Sequence, residues 1–204
     1  MSNLHFNSIH LILGGARSGK SRLAEGIAKA AELKKSKVCY LATAQAHDKE
    51  MSERISQHQA DRPAHWHLIE SPLYLANALE QALQKYDCVL VDCLTLWLSN
   101  CLCQQDAKFY VEQKSTLSKF LHAFINRQST GRSKKVIFVS NEVGHGIVPM
   151  GELSRQFVDQ AGWLHQELAE LASNVDFVMA GLPLNLKGGP IKNNNNTVQE
   201  NTSS

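Results

Sequence analysis

The chain has 204 residues, 43% of them hydrophobic and 20% charged, which is typical of a globular α/β domain rather than a fibrous or disordered chain. Its net charge of +2 is too small to favour nucleic acid or a membrane surface as a partner. No apolar run reaches the roughly 18 residues of a membrane span, and the amino-terminal residues lack a signal-peptide pattern. We therefore expect a cytoplasmic protein with no nucleic-acid partner and no membrane span.

Five cysteines are present, an odd number without C-x-x-C spacing. They lie in or beside apolar runs, so we expect buried free thiols rather than disulfides or a zinc site. These residues are Cys39, Cys88, Cys93, Cys101 and Cys103.

The first predicted elements are a strand over residues 8–13 and a helix over 22–33, joined by a glycine-rich loop. The loop fits G-x-x-x-x-G-K-[ST], the phosphate-binding P-loop, and the strand-loop-helix context disfavours a glycine turn without a ligand. In such a loop the backbone N–H groups surround phosphate, Lys20 reaches the β- and γ-phosphates, and Ser21 holds Mg²⁺. The predicted phosphate-binding residues are Gly14, Gly15, Ala16, Arg17, Ser18, Gly19, Lys20 and Ser21.

A second strand is predicted over 38–43, and a helix over 48–61 follows it. Arg54, His58 and Arg62 are spaced i, i+4, i+8 and so share one side of that helix. Two guanidinium groups would keep the imidazole neutral and nucleophilic, as attack on a nucleotide α-phosphate requires. The alternative is a packing histidine in line with Met51 and Ile55, and spacing alone favours this alternative.

A third strand is predicted over 66–70, a helix over 72–85 and a buried parallel strand over 88–92. Asp92 closes that strand, as a Walker-B carboxylate does. An aspartate at a strand end can also simply begin a turn. The P-loop earlier in the chain favours the Walker-B interpretation.

The remaining predicted elements are helices over 94–102, 107–128 and 152–172 and strands over 136–140 and 175–180, with the chain leaving the sheet at Gly181. Residues 141–149 combine two glycines and a proline with polar side chains, which indicates a shaped ligand loop. We expect one domain over residues 8–187 and a disordered polar tail over 188–204.

Alternation of strands and helices predicts a mostly parallel sheet with helices on both faces, an α/β P-loop NTPase fold of the RecA-like kind. The P-loop and the ends of the strands over 38–43, 88–92 and 136–140 should then line one edge of the sheet. The active site is expected at that edge.

A P-loop by itself indicates nucleotide binding and not what happens to the nucleotide. A regulatory GTPase is disfavoured because Asp92 is not followed by D-x-x-G spacing and no N-K-x-D motif is present. A small-molecule kinase, an ATP-driven conformational machine and a non-catalytic nucleotide-binding protein stay open at this point.

Several motifs together resemble the bifunctional adenosylcobinamide kinase / adenosylcobinamide-phosphate guanylyltransferase family, and the resemblance spans residues 9–187. The motifs are residues 14–21, Arg54-Ile55, His58, Arg62-Pro63, Trp66, residues 91–97, and residues 141–149.

The resemblance implies a cytoplasmic enzyme that phosphorylates adenosylcobinamide with ATP or GTP. It then transfers GMP from GTP to adenosylcobinamide phosphate, with Mg²⁺ as cofactor, through a guanylylated histidine that falls on His58. Ser21 and Asp92 would hold the metal, and the family's homotrimer is carried over as an expectation. Beyond the P-loop, the implied nucleotide contacts are Ala42, Thr43, Ala44, Gln59, Ala60, Asp61, Arg62, Glu70 and Asp92.

The chain departs from the family pattern at a few positions. At residues 44–47 it differs from the expected polar run, so a contact at Ala44 would come from its backbone. His145 stands where relatives often carry methionine and His165 where they carry asparagine, and we expect both to be packing or surface changes. Glu142 is a candidate base for the kinase hydroxyl.

Overall fold

The computed structural model describes residues 5–45, 63–129 and 132–189. Its strands are β1 His5–Phe6, β2 Ser8–Gly14, β3 Val38–Ala42, β4 His67–Glu70, β5 Cys88–Asp92, β6 Gln128–Ser129, β7 Lys135–Asn141, β8 Asn174–Met179 and β9 Leu182–Lys187. Its helices are α1 Lys20–Leu33, α2 Leu75–Lys85, α3 Leu94–Leu102, α4 Phe109–Asn126 and α5 Glu152–Leu171.

Seven strands form one sheet in the order β4-β3-β5-β7-β2-β8-β9. All neighbouring pairs are parallel except β8 with β9, which are antiparallel. Strands β1 and β6 pair in a separate antiparallel ribbon. The predicted mostly parallel sheet is confirmed.

Helices cover both faces of the sheet, as predicted. On one face, Ile12 of β2 and Leu90 of β5 pack with Ala24 and Ala28 of α1. On the other face the strand residues pack with apolar side chains of α2, α3, α4 and α5, and Trp97 of α3 is fully buried there. The side chains of β2 alternate between the two cores because successive residues of a strand point to opposite faces.

The carboxyl ends of the inner strands meet at one edge. Gly14 at the end of β2 is in register with Asn141 of β7, and Ala42 of β3 is in register with Asp92 of β5. This places the P-loop, the aspartate and the loop after β7 side by side at the edge where the site is predicted.

Two predictions about the described residues are wrong. The chain does not leave the sheet at Gly181, because residues 182–187 return as the antiparallel edge strand β9. Cys103 is exposed, whereas the other four cysteines are buried free thiols as expected. Cys103 directly follows the last residue of α3, where the chain turns away from the core.

The helix predicted over 48–61 and most of the predicted tail lie outside the described residues. Within the described ranges, no helix has the length and apolar character needed to cross a membrane.

Candidate active site

The loop between β2 and α1 takes a path that favours glycine at two positions. Gly14 has a φ of +152°, and a Cβ there would lie 2.3 Å from the carbonyl oxygen of Val178. Gly19 has a φ of +98°, and a Cβ there would lie 3.3 Å from the Cα of Gly181. Larger residues would strain the backbone or push β8 and its following turn away.

Neighbouring backbone holds the loop on two sides. The N–H of Glu142 donates to the carbonyl oxygen of Gly14 at 3.0 Å, and the N–H of Gly181 donates to that of Ser18 at 2.9 Å. The Ser18 hydroxyl is buried and has no hydrogen-bond partner among the described residues. The tip, residues 15–17, is exposed, so the loop is anchored at its sides and open where a phosphate would enter.

Helix α1 begins at Lys20, directly after the loop, and neither a side-chain cap nor an acidic residue occupies its first turn. The first N–H groups of a helix have no partner within the helix, and the positive end of its dipole attracts anions. This helix end is therefore suited to bind phosphate.

Lys20 is buried, and its Nζ donates to the carbonyl oxygen of Gly15 at 2.6 Å. Burial lowers the pKa of Lys20, an effect opposed by the nearby Cys93 and Asp92. Within the described ranges no ion pair joins Lys20 to a carboxylate. A phosphate oxygen would supply the anionic partner that a buried ammonium needs.

One carboxylate oxygen of Asp92 accepts hydrogen bonds from two hydroxyl groups. The Ser21 Oγ donates at 3.0 Å and the Tyr40 Oη donates at 2.9 Å, both to Oδ2. Ser21 is the second residue of α1, directly after the P-loop lysine, and Asp92 ends β5, which is two strands from β2 in the sheet. The two residues predicted to hold a metal are thus brought into direct contact.

The donor set of this pair fits Mg²⁺. A magnesium ion takes oxygen ligands and is commonly held by one or two carboxylates together with substrate phosphates. The Ser21 hydroxyl and the Asp92 carboxylate offer two such oxygens next to the phosphate loop.

Of the predicted contacts after β3, Thr43 is fully buried and uses its polar groups inside the protein. Its N–H donates to the carbonyl oxygen of Asp92 at 3.2 Å and its Oγ1 to that of Cys93 at 2.7 Å. Its carbonyl oxygen accepts from the Asn100 Nδ2 at 2.8 Å. We therefore expect Thr43 to hold β3 against β5 rather than to contact nucleotide through its side chain; Ala42 and Ala44 beside it are half-buried.

Glu70 is exposed at the carboxyl end of β4, in register with Ala42. Three strands lie between β4 and the P-loop strand, so Glu70 is about 19 Å from the phosphate loop at ordinary strand spacing. The predicted nucleophile and four predicted contacts lie outside the described residues. These are His58, Gln59, Ala60, Asp61 and Arg62.

The predicted ligand loop after β7 lies beside the P-loop. The Glu142 Oε1 accepts from the N–H of Gly144 at 2.6 Å, and the Asn141 Nδ2 donates to the Thr95 Oγ1 at 3.2 Å. His145 is exposed, as a surface change should be. Asn141 is in register with Gly14 and the N–H of Glu142 donates to the Gly14 carbonyl oxygen, so Glu142 begins this loop at the same edge of the sheet as the P-loop.

Sequence reasoning missed the side chain of Tyr40 and the hydrogen bond of His165 at this edge. Tyr40 lies two residues before Ala42 on β3, so strand alternation could have placed it on the P-loop side of the sheet. His165 of α5 is buried and hydrogen-bonded to Ser140, so packing alone does not describe it. Helix periodicity gave no signal of this contact.

A family model described as cobinamide kinase / cobinamide phosphate guanyltransferase matches residues 10–186. The chain belongs to this family. The match includes the P-loop, Asp92 and the loop after β7. The protein is accordingly an enzyme of the kinase and guanylyltransferase type that defines the family.

Two bifunctional biosynthesis proteins are similar in sequence to this chain over nearly their whole length. The chain is 51% identical over 181 residues to the bifunctional adenosylcobalamin biosynthesis protein CobP of Pseudomonas aeruginosa, covering 89% of this chain and 98% of that protein. It is 35% identical to the bifunctional adenosylcobalamin biosynthesis protein CobU of Escherichia coli, covering 87% of this chain and 98% of that one.

Among solved structures, the fold is similar to that of the flagellar accessory protein FlaH of Methanocaldococcus jannaschii. The TM-score is 0.50 at 12% identity, and the match covers 89% of this chain and 79% of the other. At this identity the likeness concerns the fold alone.

Proposed function

We propose that this protein phosphorylates adenosylcobinamide on its aminopropanol hydroxyl with ATP or GTP, then transfers GMP from GTP to the product. The products of the second reaction are adenosylcobinamide-GDP and pyrophosphate. The observation that carries this proposal is the cluster of Lys20, Ser21 and Asp92, in which Ser21 donates to Asp92 beside the buried lysine of the P-loop. The chain that holds it is 51% identical to a bifunctional CobP.

The cluster supports phosphoryl transfer because each of its members meets a part of a nucleoside triphosphate. Lys20 would pair with the β- and γ-phosphates, and the α1 amino end would receive their negative charge. Ser21 and Asp92 would hold Mg²⁺, which neutralises charge on the phosphates when bound. The substrate hydroxyl then forms a bond to the γ-phosphorus as the bond to the nucleoside diphosphate breaks.

For the second reaction we propose His58 as the covalent carrier. Its imidazole nitrogen forms a bond to the α-phosphorus of GTP, and the bond to pyrophosphate breaks. A phosphate oxygen of adenosylcobinamide phosphate then forms a bond to the same phosphorus, and the bond to His58 breaks. Arg54 and Arg62, spaced on either side of His58 in the sequence, would pair with the phosphate oxygens.

Two features of the described residues support this assignment. Ala42 lies at the edge of the sheet that carries the P-loop. From there the chain runs to Gln45, directly before the segment that contains His58. Glu70, a predicted nucleotide contact, ends the neighbouring strand at the same edge. The β3–β4 end of the edge is therefore the proposed position for the guanylyl-transfer half of the site.

The test is a covalent labelling experiment with GTP labelled at the α-phosphate. We expect an acid-labile, base-stable label on the wild-type protein that is lost in His58→Asn. His122→Asn, an exposed histidine of α4, is the matched control and should retain the label. Phosphorylation of cobinamide without any label would favour a small-molecule kinase in which His58 is structural.

We also propose a cytoplasmic homotrimer. Leu182, Leu184 and Leu186 alternate along the edge strand β9 and are 72%, 61% and 57% exposed. An open strand edge with an apolar face favours association with another chain. A second copy of this chain is the proposed occupant of that face.

A further inference from the structure

Three polar side chains lie in a row beneath the loop after β7. The Ser140 Oγ lies 2.7 Å from the Nε2 of His165, and the Nδ1 of the same ring lies 3.5 Å from the Oε2 of Glu142. Ser140 is fully buried and His165 is 6% exposed, whereas Glu142 is half-buried at the active edge. The row therefore runs from the core to the site.

The buried end of the row sets the orientation of the ring. Burial lowers the pKa of His165 and so favours the neutral ring, and Glu142 acts against this effect. When the Ser140 hydroxyl donates to Nε2, the proton of the ring is on Nδ1 and faces Glu142. At 3.5 Å this contact is longer than an ordinary hydrogen bond, and no described residue closer to Nδ1 accepts its proton.

Glu142 itself directly follows β7 and lies beside the first residue of the phosphate loop. Its N–H donates to the carbonyl oxygen of Gly14, the first residue of the P-loop. Its Oε1 accepts the N–H of Gly144 at 2.6 Å, which leaves Oε2 directed toward His165. A carboxylate oxygen has two lone pairs, so Oε2 can also accept a hydrogen bond from a hydroxyl group in the site.

We propose that Glu142 is the general base of the kinase reaction and that the Ser140–His165 pair is the device that positions it. This inference rests on the kinase activity proposed above. As the substrate hydroxyl oxygen bonds to the γ-phosphorus, its O–H bond breaks and the proton moves to Glu142. The bond between the γ-phosphorus and the leaving diphosphate oxygen breaks in the same step, and Glu142 later releases the proton to water.

A purely structural role for Glu142 is the competing explanation, since its Oε1 shapes the loop through Gly144. Glu142→Gln separates the two roles, because the amide keeps an oxygen that accepts the Gly144 N–H but is not a base. His165→Ala removes the positioning group. His165→Asn restores a side-chain N–H of similar reach.

The experiment measures phosphorylation of cobinamide by ATP at steady state, and covalent labelling by α-labelled GTP in the same preparations. We expect Glu142→Gln to lower kcat by about 10²- to 10⁴-fold, with the KM for ATP within a few-fold of wild type. His165→Ala should lower kcat by about tenfold and His165→Asn should recover most of that loss. Glu80→Gln, an exposed glutamate of α2, is the matched control and should behave as wild type.

Labelling by GTP should persist in Glu142→Gln, which shows that the variant is folded. A kcat within threefold of wild type in Glu142→Gln would overturn the assignment of the base. Equal losses in His165→Ala and His165→Asn, or a change in KM alone, would overturn the positioning role. A wild-type protein that does not phosphorylate cobinamide would contradict the proposed function instead.

Discussion

Asp92 shows how single side chains build this site. Its Oδ2 accepts from a residue of the P-loop and from Tyr40 of the neighbouring strand β3. The second bond fixes the carboxylate independently of Ser21. Outer partners of this kind orient a metal ligand and raise its effectiveness.

Tyr40→Phe tests this function of the second bond. The variant keeps the aromatic ring but removes its hydroxyl, so that among the described residues only Ser21 donates to the Asp92 carboxylate. We expect about tenfold weaker Mg²⁺ binding, measured as the free Mg²⁺ concentration that gives half-maximal cobinamide phosphorylation. Tyr74→Phe, which changes an exposed tyrosine, should leave this concentration unchanged. An unchanged value in Tyr40→Phe would show that the hydroxyl does not support the proposed Mg²⁺ site.

The residues that could be predicted from the sequence are those whose spacing encodes their geometry. Lys20 and Ser21 follow the P-loop glycines directly. Asp92 ends a buried parallel strand, whose carboxyl end lies at the same edge of the sheet as the P-loop. The contacts of Tyr40 with Asp92 and of His165 with Ser140 could not be predicted, because the partners are 52 and 25 residues apart in the chain. Such contacts depend on strand order and helix rotation, which no local pattern specifies.

At the scale of elements, the inner strands were predictable because they are buried on both faces and read as continuous apolar runs. The helix over 94–102 was predicted with its observed bounds. Strand β9 was missed because Pro183 suggests the end of a strand, although proline is tolerated at a sheet edge. Strands β1 and β6 have two residues each, too few for an alternation pattern.

The joint between β2 and the P-loop gives a prediction at this scale. Gly14→Ala places a Cβ 2.3 Å from the carbonyl oxygen of Val178 and should lower the free energy of unfolding by at least about 3 kcal/mol. Gly26→Ala is the matched control, because nothing lies within 4 Å of its Cβ in α1. It should raise the same quantity by about 0.5 to 1 kcal/mol.

Urea unfolding of both variants measures these changes. Equal stability of Gly14→Ala and wild type would mean that β8 can move away from β2 at no cost. That result would contradict the close approach of the two strands described above.

At the scale of the whole molecule, the oligomeric state tests the proposal that the exposed leucines of β9 form an interface between copies of this chain. Leu184→Glu introduces a charge at the middle of the proposed interface and should convert a trimer to a monomer at micromolar concentration. Sedimentation velocity measures the change. Val111→Glu alters an apolar side chain of α4 that is 63% exposed and should remain trimeric; a monomeric wild type, or a trimeric Leu184→Glu, would contradict the proposal.

The strand that carries the phosphate loop is bonded on both sides, by β7 and by β8, and the turn after β8 holds the loop at Ser18. The sheet thus preorganises the phosphate loop before any nucleotide binds. Nucleotide binding does not have to order this part of the backbone, so little of the binding free energy is lost to restricting the chain.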